Sequence, residues 1–165
     1  MSCLGVHFAL TDKEAEHLIQ MDDEAQRLEY IVETIEEAYV GTEYAAESDK
    51  AWDAMHRALS DGYLNWEGGK YPLNHTILAG TLLYSSDDYI MSLKTPMQVR
   101  DVASKVSGID KSHLRSLYNS IPANDYDAEL DEEDFEYTWE WFQGVVSLYI
   151  LAAQEGKYVL FTADQ

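Results

Sequence analysis

Residues 135–153 read as a helix that has to be covered on two sides. Phe135, Trp139, Phe142, Val146, Tyr149, Ile150 and Ala153 form a stripe at helical spacing, and Trp141, Val145, Leu148 and Leu151 fill the flank beside it. A surface helix carries one apolar stripe, whereas a helix apolar on both flanks is largely buried. The remaining residues must therefore wrap it with a sheet, with further helices, or with both. Gly156 ends the helix and Tyr158–Thr162 reads as a closing strand.

The rest of the chain supplies that wrapping. Cys3 to Leu10 alternates as a short strand with Leu4, Val6 and Phe8 on one face. Thr11 and Glu14 have capping-box spacing and start a helix that runs to about Met21. A longer helix follows over 22–40, its stripe formed by Leu28, Ile31, Val32, Ile35 and Tyr39, with Gly41 as its C-cap. A helix over 49–60 buries Trp52, Met55 and Leu59. Residues 61–75, with Gly62, Gly68, Gly69 and Pro72, read as a long loop. Ile77–Tyr84 and Asp88–Leu93 read as strands around a Ser85-Ser86-Asp87 turn. Thr95-Pro96 with Gln98 opens a helix to Gly108, and Asp110 caps another to about Ser120. The chain of 165 residues fits one hydrophobic core. The expected fold class is a single α/β domain over 1–165, mostly helical, with a small mixed sheet of about four short strands.

Charge narrows the function. The formal net charge is −20, and it is concentrated at the two ends of the chain. Residues 1–60 carry 14 acids against 4 bases, residues 61–120 carry 6 of each, and residues 121–165 carry 11 against 1. A strongly anionic surface argues against nucleic acid and against anionic membranes as partners. One cysteine, Cys3, leaves no internal disulfide and no cysteine-based zinc site, and fits a reducing compartment. The opening MSCLGVHFAL lacks a basic n-region, so no signal peptide is expected, and no apolar run is long enough to span a membrane. The expected location is cytoplasmic.

Three blocks resemble a known family. Ser48-Asp49-Lys50-Ala51-Trp52-Asp53-Ala54-Met55-His56, continuing to Gly62, resembles a segment of the YfbM-like family, small bacterial proteins of unknown function. Thr95–Tyr118, with Val99, Val102-Ala103, Ile109, Leu114 and Tyr118, is similar to that family's helix pair. Trp139–Leu160, with Ala152-Ala153-Gln154-Glu155-Gly156, is similar to its closing helix and strand. Residues 64–76 depart from the family's Gly-rich stretch. The resemblance implies a single-domain α/β fold and carries over no catalytic residues.

Motifs for chemistry are sparse. There is no nucleophile elbow, no phosphate-binding loop and no His-Glu-x-x-His. Asp125, Asp127, Glu129, Asp131, Glu133 and Glu136 follow the cadence of a calcium loop, but Leu130 stands where the sharp turn needs glycine. The alternative is an acidic first turn favouring the positive end of the following helix. Glu14-x-x-His17 and Asp53-x-x-His56 have the carboxylate–imidazole spacing of di-iron bundles, without the four long helices those require. No metal ligand set, cofactor or catalytic residue is therefore assigned.

Two readings of function follow. Glu29, Glu33 and Glu37, with Glu36 adjacent, form a carboxylate row on one helix, and like charges at this spacing weaken a helix. Its purpose is then either solubility or the presentation of charge to a basic partner. Together with Asp131, Glu132, Glu133 and Asp134, it makes the expected partner-binding surface of an acidic, non-catalytic binding protein. An immunity protein or inhibitor that neutralises a basic toxin or enzyme has this character. The alternative is a small enzyme or ligand-binding protein using the 61–75 loop, with His56, Trp66, Tyr71 and His75 as candidate pocket residues.

Overall fold

The computed structural model describes residues 4–164, so the readings made for Cys3 lie outside the described residues. Alternation within the strands sets up three layers. The strands β1 (Gly5–Leu10), β2 (Ala45–Asp49), β3 (Thr81–Leu82), β4 (Tyr89–Lys94) and β5 (Tyr158–Asp164) form one sheet in the order β2-β1-β5-β4-β3. Phe8 and Leu10 of β1, Met91 and Leu93 of β4 and Leu160 of β5 face one way, and Ala9, Ile90, Val159, Phe161 and Ala163 face the other. Each face has its own core.

The first core lies under α1 (Asp12–Gln20) and a helical segment made of α2 (Glu24–Tyr30), a π-helical turn (Ile31–Ile35) and α3 (Glu36–Tyr39). Thr11 and Glu14 close the expected capping box on α1. The larger core lies under α4 (Trp52–Leu59), α5 (Pro96–Val106), α6 (Lys111–Tyr118) and α7 (Glu132–Glu155). Thr95 with Gln98 caps α5, Asp110 caps α6, and Gly156 ends α7 in the left-handed conformation.

The single α/β domain expected from the sequence is what the chain forms, with differences in the sheet. Among the described residues there are five strands and every pairing is antiparallel, where about four in a mixed sheet are expected. The added strand is β2, whose Ala-Ala-Glu-Ser-Asp lacks the β-branched and aromatic residues that mark strands. The expected strand Ile77–Tyr84 shrinks to Thr81–Leu82. Ile77, Leu78 and Ala79 are buried all the same, and side chains of β4 take over the carbonyls of the first two. Lys94 Nζ donates to the Ile77 carbonyl, and Ser92 Oγ donates to that of Leu78 at 2.7 Å. The segment turns into β3 at Gly80, where φ is +144° and a Cβ would come within 2.7 Å of the Leu93 carbonyl.

Two helical stripes also shift. Within the 24–39 segment the Glu36 N–H reaches the Ile31 carbonyl, an i→i+5 bond that widens the turn. Ile31 and Ile35 are buried there, whereas Val32, expected in the stripe, is 48% exposed. On α7 the buried face is Phe135, Thr138, Phe142, Val145, Leu148, Tyr149 and Ala152. Val146 lies at its edge and Ile150 is exposed. The second apolar flank, with Trp141 and Leu151, lies toward β2.

Candidate functional site

Beside the edge strand β2 the sheet leaves a groove of about 660 Å³ against α7. Glu43, Ala45, Ala46 and Glu47 line one side, and α7 contributes Glu140, Trp141, Gly144, Ser147, Leu148 and Leu151. Two physical properties meet in it. Trp141, Leu148 and Leu151 give it an apolar floor, while Glu43, Glu47 and Glu140 put carboxylates at the rim and no lining residue is a base. It continues at β1 into a smaller hollow of about 260 Å³ that shares Glu47 and Trp141 and adds Asp49, Leu4, Gly5 and Val6.

β2 is held firmly enough to serve as a wall. Ser48 Oγ donates to the Gly5 carbonyl at 3.2 Å, and the Lys50 N–H donates to Tyr137 Oη on α7 at 3.1 Å. At the other end Tyr44 Oη donates to the Glu155 carboxylate at 3.1 Å, with Lys157 Nζ 5.0 Å from the centre of the Tyr44 ring.

The acidic residues read from the sequence have separate roles. Glu29, Glu33 and Glu37 are exposed, and none forms an ion pair among the described residues. Glu36 is half-buried, and burial, helped by Asp164, raises its carboxyl above the ordinary range. The second group works mainly inside the fold. Asp131 caps α7 by accepting from the Asp134 N–H at 2.9 Å, and Glu132 pairs with Arg115 at 2.8 Å. Asp134 accepts from the hydroxyls of Tyr118 at 2.7 Å and Tyr126 at 3.0 Å. Glu133 is exposed in the first turn, where a negative charge suits the helix dipole. Asp125 is bound to Arg57 and Glu136 to Lys111, so the calcium-like cadence is spread over separate ion pairs. Among the described residues no cluster of His, Cys, Asp or Glu is arranged to hold a metal ion.

The loop residues fall into different settings. His56 is fully buried on α4 and donates from Nε2 to the Asn65 carbonyl at 2.8 Å. Burial lowers its pKa to about 4. Tyr71 stacks edge-on against His75 at 4.9 Å and donates to Asp101, while His75 Nδ1 meets Asn74 Oδ1 at 2.8 Å. Trp66 lies elsewhere, in a groove of about 530 Å³ with Trp52, Tyr84 and Tyr89. Three of its polar side chains are engaged: Arg27 donates to the carbonyls of Leu18, Ile19 and Leu83, and Glu24 accepts from Ser85.

A buried polar cluster lies beneath the sheet. His7, Ser92 and Lys94 point into the larger core, and His7 and Ser92 both pair across the sheet with Phe161. Lys94 Nζ meets the oxygens of Ile77, Ser92 and the Ser92 side chain, and lies 5.8 Å from the centre of the Phe161 ring. Burial pushes its pKa well below the usual lysine range. His7 donates from Nε2 to the Thr76 carbonyl at 2.8 Å, and Tyr149 Oη donates to the same oxygen at 2.7 Å. Burial, with Lys94 nearby, lowers the His7 pKa to about 3.

Neither the groove nor this cluster figures among the sequence-read site residues. The available signal for the groove was the second apolar flank of α7, with Glu43 and Glu47 bracketing two alanines. The cluster shows in sequence only as single polar residues inside apolar runs.

A family model described as Domain of unknown function (DUF1877) matches residues 1–162. The chain belongs to this family. Its fold is similar to that of a crystal structure titled as a protein of unknown function, YfbM from Escherichia coli. That likeness covers 97% of this chain and 99% of the other, with a TM-score of 0.68 and 16% identity. At that identity the likeness concerns the fold, and it agrees with the YfbM-like resemblance of the sequence blocks. No curated protein matches the chain. No helix among the described residues is long and apolar enough to cross a membrane.

Proposed function

We propose that this is an acidic, non-catalytic binding protein whose partner is a basic protein, with the β2–α7 groove as its site. The observation that carries the reading is the groove's composition. An apolar floor of Trp141, Leu148 and Leu151 supplies contact area, and a rim of Glu43, Glu47 and Glu140 supplies charge of one sign. A net charge of −20 adds long-range attraction for a cationic partner and speeds its encounter. An immunity protein or inhibitor that covers the cationic cleft of a toxin or enzyme works by these two terms, and a cytoplasmic location suits it. Glu29, Glu33 and Glu37 are a second exposed acidic surface that such a partner would feel at longer range.

The test is capture from a lysate of the native host at low salt, followed by elution with high salt. The reading expects a basic protein in the salt eluate, lost when Glu43, Glu47 and Glu140 become glutamine. Capture that ignores both salt and these three substitutions contradicts it.

A further inference from the structure

We propose that the partner enters the β2–α7 groove as an extended segment, adding a sixth strand to the free edge of β2 and alternating apolar with lysine or arginine side chains. The inference rests on the basic-partner reading above and specifies the form of the partner. It has three supports.

The first is the edge itself. Among the described residues β2 stands at the end of the sheet order and pairs only with β1, so one side of its backbone has no strand partner there. Strand addition to such an edge supplies main-chain hydrogen bonds, and pockets for alternate side chains supply selectivity. Alternation along β2 places Ala46 and Ser48 inward and Glu47 outward. An added strand would likewise send one set of side chains over Trp141, Leu148 and Leu151, and the other toward Glu47.

The second is charge. Glu43, Glu47 and Asp49 beside this edge, with Glu140 opposite, repel another copy of this anionic chain. The same carboxylates attract a cationic strand, so one feature both blocks self-pairing and selects the partner.

The third is Gly144. A glycine inside a helix costs about 1 kcal/mol relative to alanine. Among the described residues no close contact requires it, since a Cβ built there meets no heavy atom within 4 Å. Gly144 lies on the groove floor with Ser147 one turn on, and together they keep α7 low where a second backbone would pass.

The probe is a short synthetic peptide alternating valine and lysine, with blocked termini. It is compared with the same peptide carrying glutamate for lysine, and with two analogues N-methylated at either the valines or the lysines. Strand addition uses the N–H groups of alternate residues only. The expected result is binding by the lysine peptide, slowed amide exchange across Ala45–Asp49, and no binding by the glutamate peptide. One N-methyl analogue should bind about tenfold weaker or worse, and the other should bind as the parent does. Gly144→Leu, which fills the groove from an open helix position, should abolish binding while the chain stays folded. Equal binding by both N-methyl analogues would overturn strand addition and leave the basic-partner reading standing. Absence of binding by the lysine peptide, or full binding to Gly144→Leu, would also overturn it. The basic-partner reading fails separately, on the lysate capture.

Discussion

Ser92 Oγ donates its proton to the Leu78 carbonyl at 2.7 Å, so toward Lys94 Nζ, 2.9 Å away, it acts as an acceptor. Lys94 thus sits among three oxygens that can only accept: this hydroxyl and the carbonyls of Ile77 and Ser92. Every proton of the ammonium form has a taker, which opposes the cost of burying it. The arrangement also lets Ile77–Ala79 be buried without becoming a strand.

Lys94→Met keeps the apolar stem and removes the donors. With the Ile77 carbonyl left unsatisfied in the core, the expected loss is about 1–3 kcal/mol in urea unfolding. Unchanged or increased stability would show that the carbonyls find other donors.

The buried histidines set the response to acid. Burial lowers His56 to about 4 and His7 to about 3, from an ordinary value of 6.5. Below the ordinary value the unfolded chain takes up protons that the folded chain refuses, so stability falls as pH drops from 6.5. The contribution of each histidine is spent once its folded pKa is passed. Each group adds a slope of about 1.4 kcal/mol per pH unit within its window. His56→Gln keeps a donor for the Asn65 carbonyl and should flatten stability against pH between 6.5 and 4, the span of its shift. An unaltered slope in chemical denaturation over that span would contradict the assignment.

Much of the fold is legible in the chain because its signals are local. Thr11 with Glu14, Thr95 with Gln98, Asp110 and Gly156 mark helix ends through hydrogen bonds within a few residues, and all form as read. β2 was illegible because its strand state comes from pairing with β1, not from its own Ala-Ala-Glu-Ser-Asp. Ile77–Ala79 departs from its pattern for the opposite reason: it is a strand-like run whose Ile77 and Leu78 carbonyls are met by the side chains of Lys94 and Ser92. The groove lies between residues almost a hundred positions apart, so only tertiary packing brings Glu43 and Glu47 to Trp141 and Gly144.

The acidic run before and into α7 divides into structural and free charges. Asp131→Ala removes the N-cap of α7 and should cost about 1 kcal/mol. Glu133→Gln touches no partner and should stay within about 0.5 kcal/mol of the parent, as surface changes usually do. Thermal melts of the two variants check the division, and equal melting temperatures would contradict it.

Gly80 turns the chain into β3 with a φ of +144° and no room for a Cβ beside the Leu93 carbonyl. Gly80→Ala should cost about 1–3 kcal/mol through backbone strain. Gly144→Ala should do the reverse, adding about 0.5–1 kcal/mol, because its site is open and alanine favours the helix. Denaturant midpoints of both variants settle the signs.

The most direct measurement is the affinity of the captured basic protein across a range of salt concentrations. It compares the parent chain with a variant carrying glutamine at Glu43, Glu47 and Glu140. Tight, salt-sensitive binding is expected for the parent. The variant should bind about tenfold weaker or worse, with a shallower dependence on salt. Equal affinity and equal salt dependence for the two would contradict the groove as the binding site.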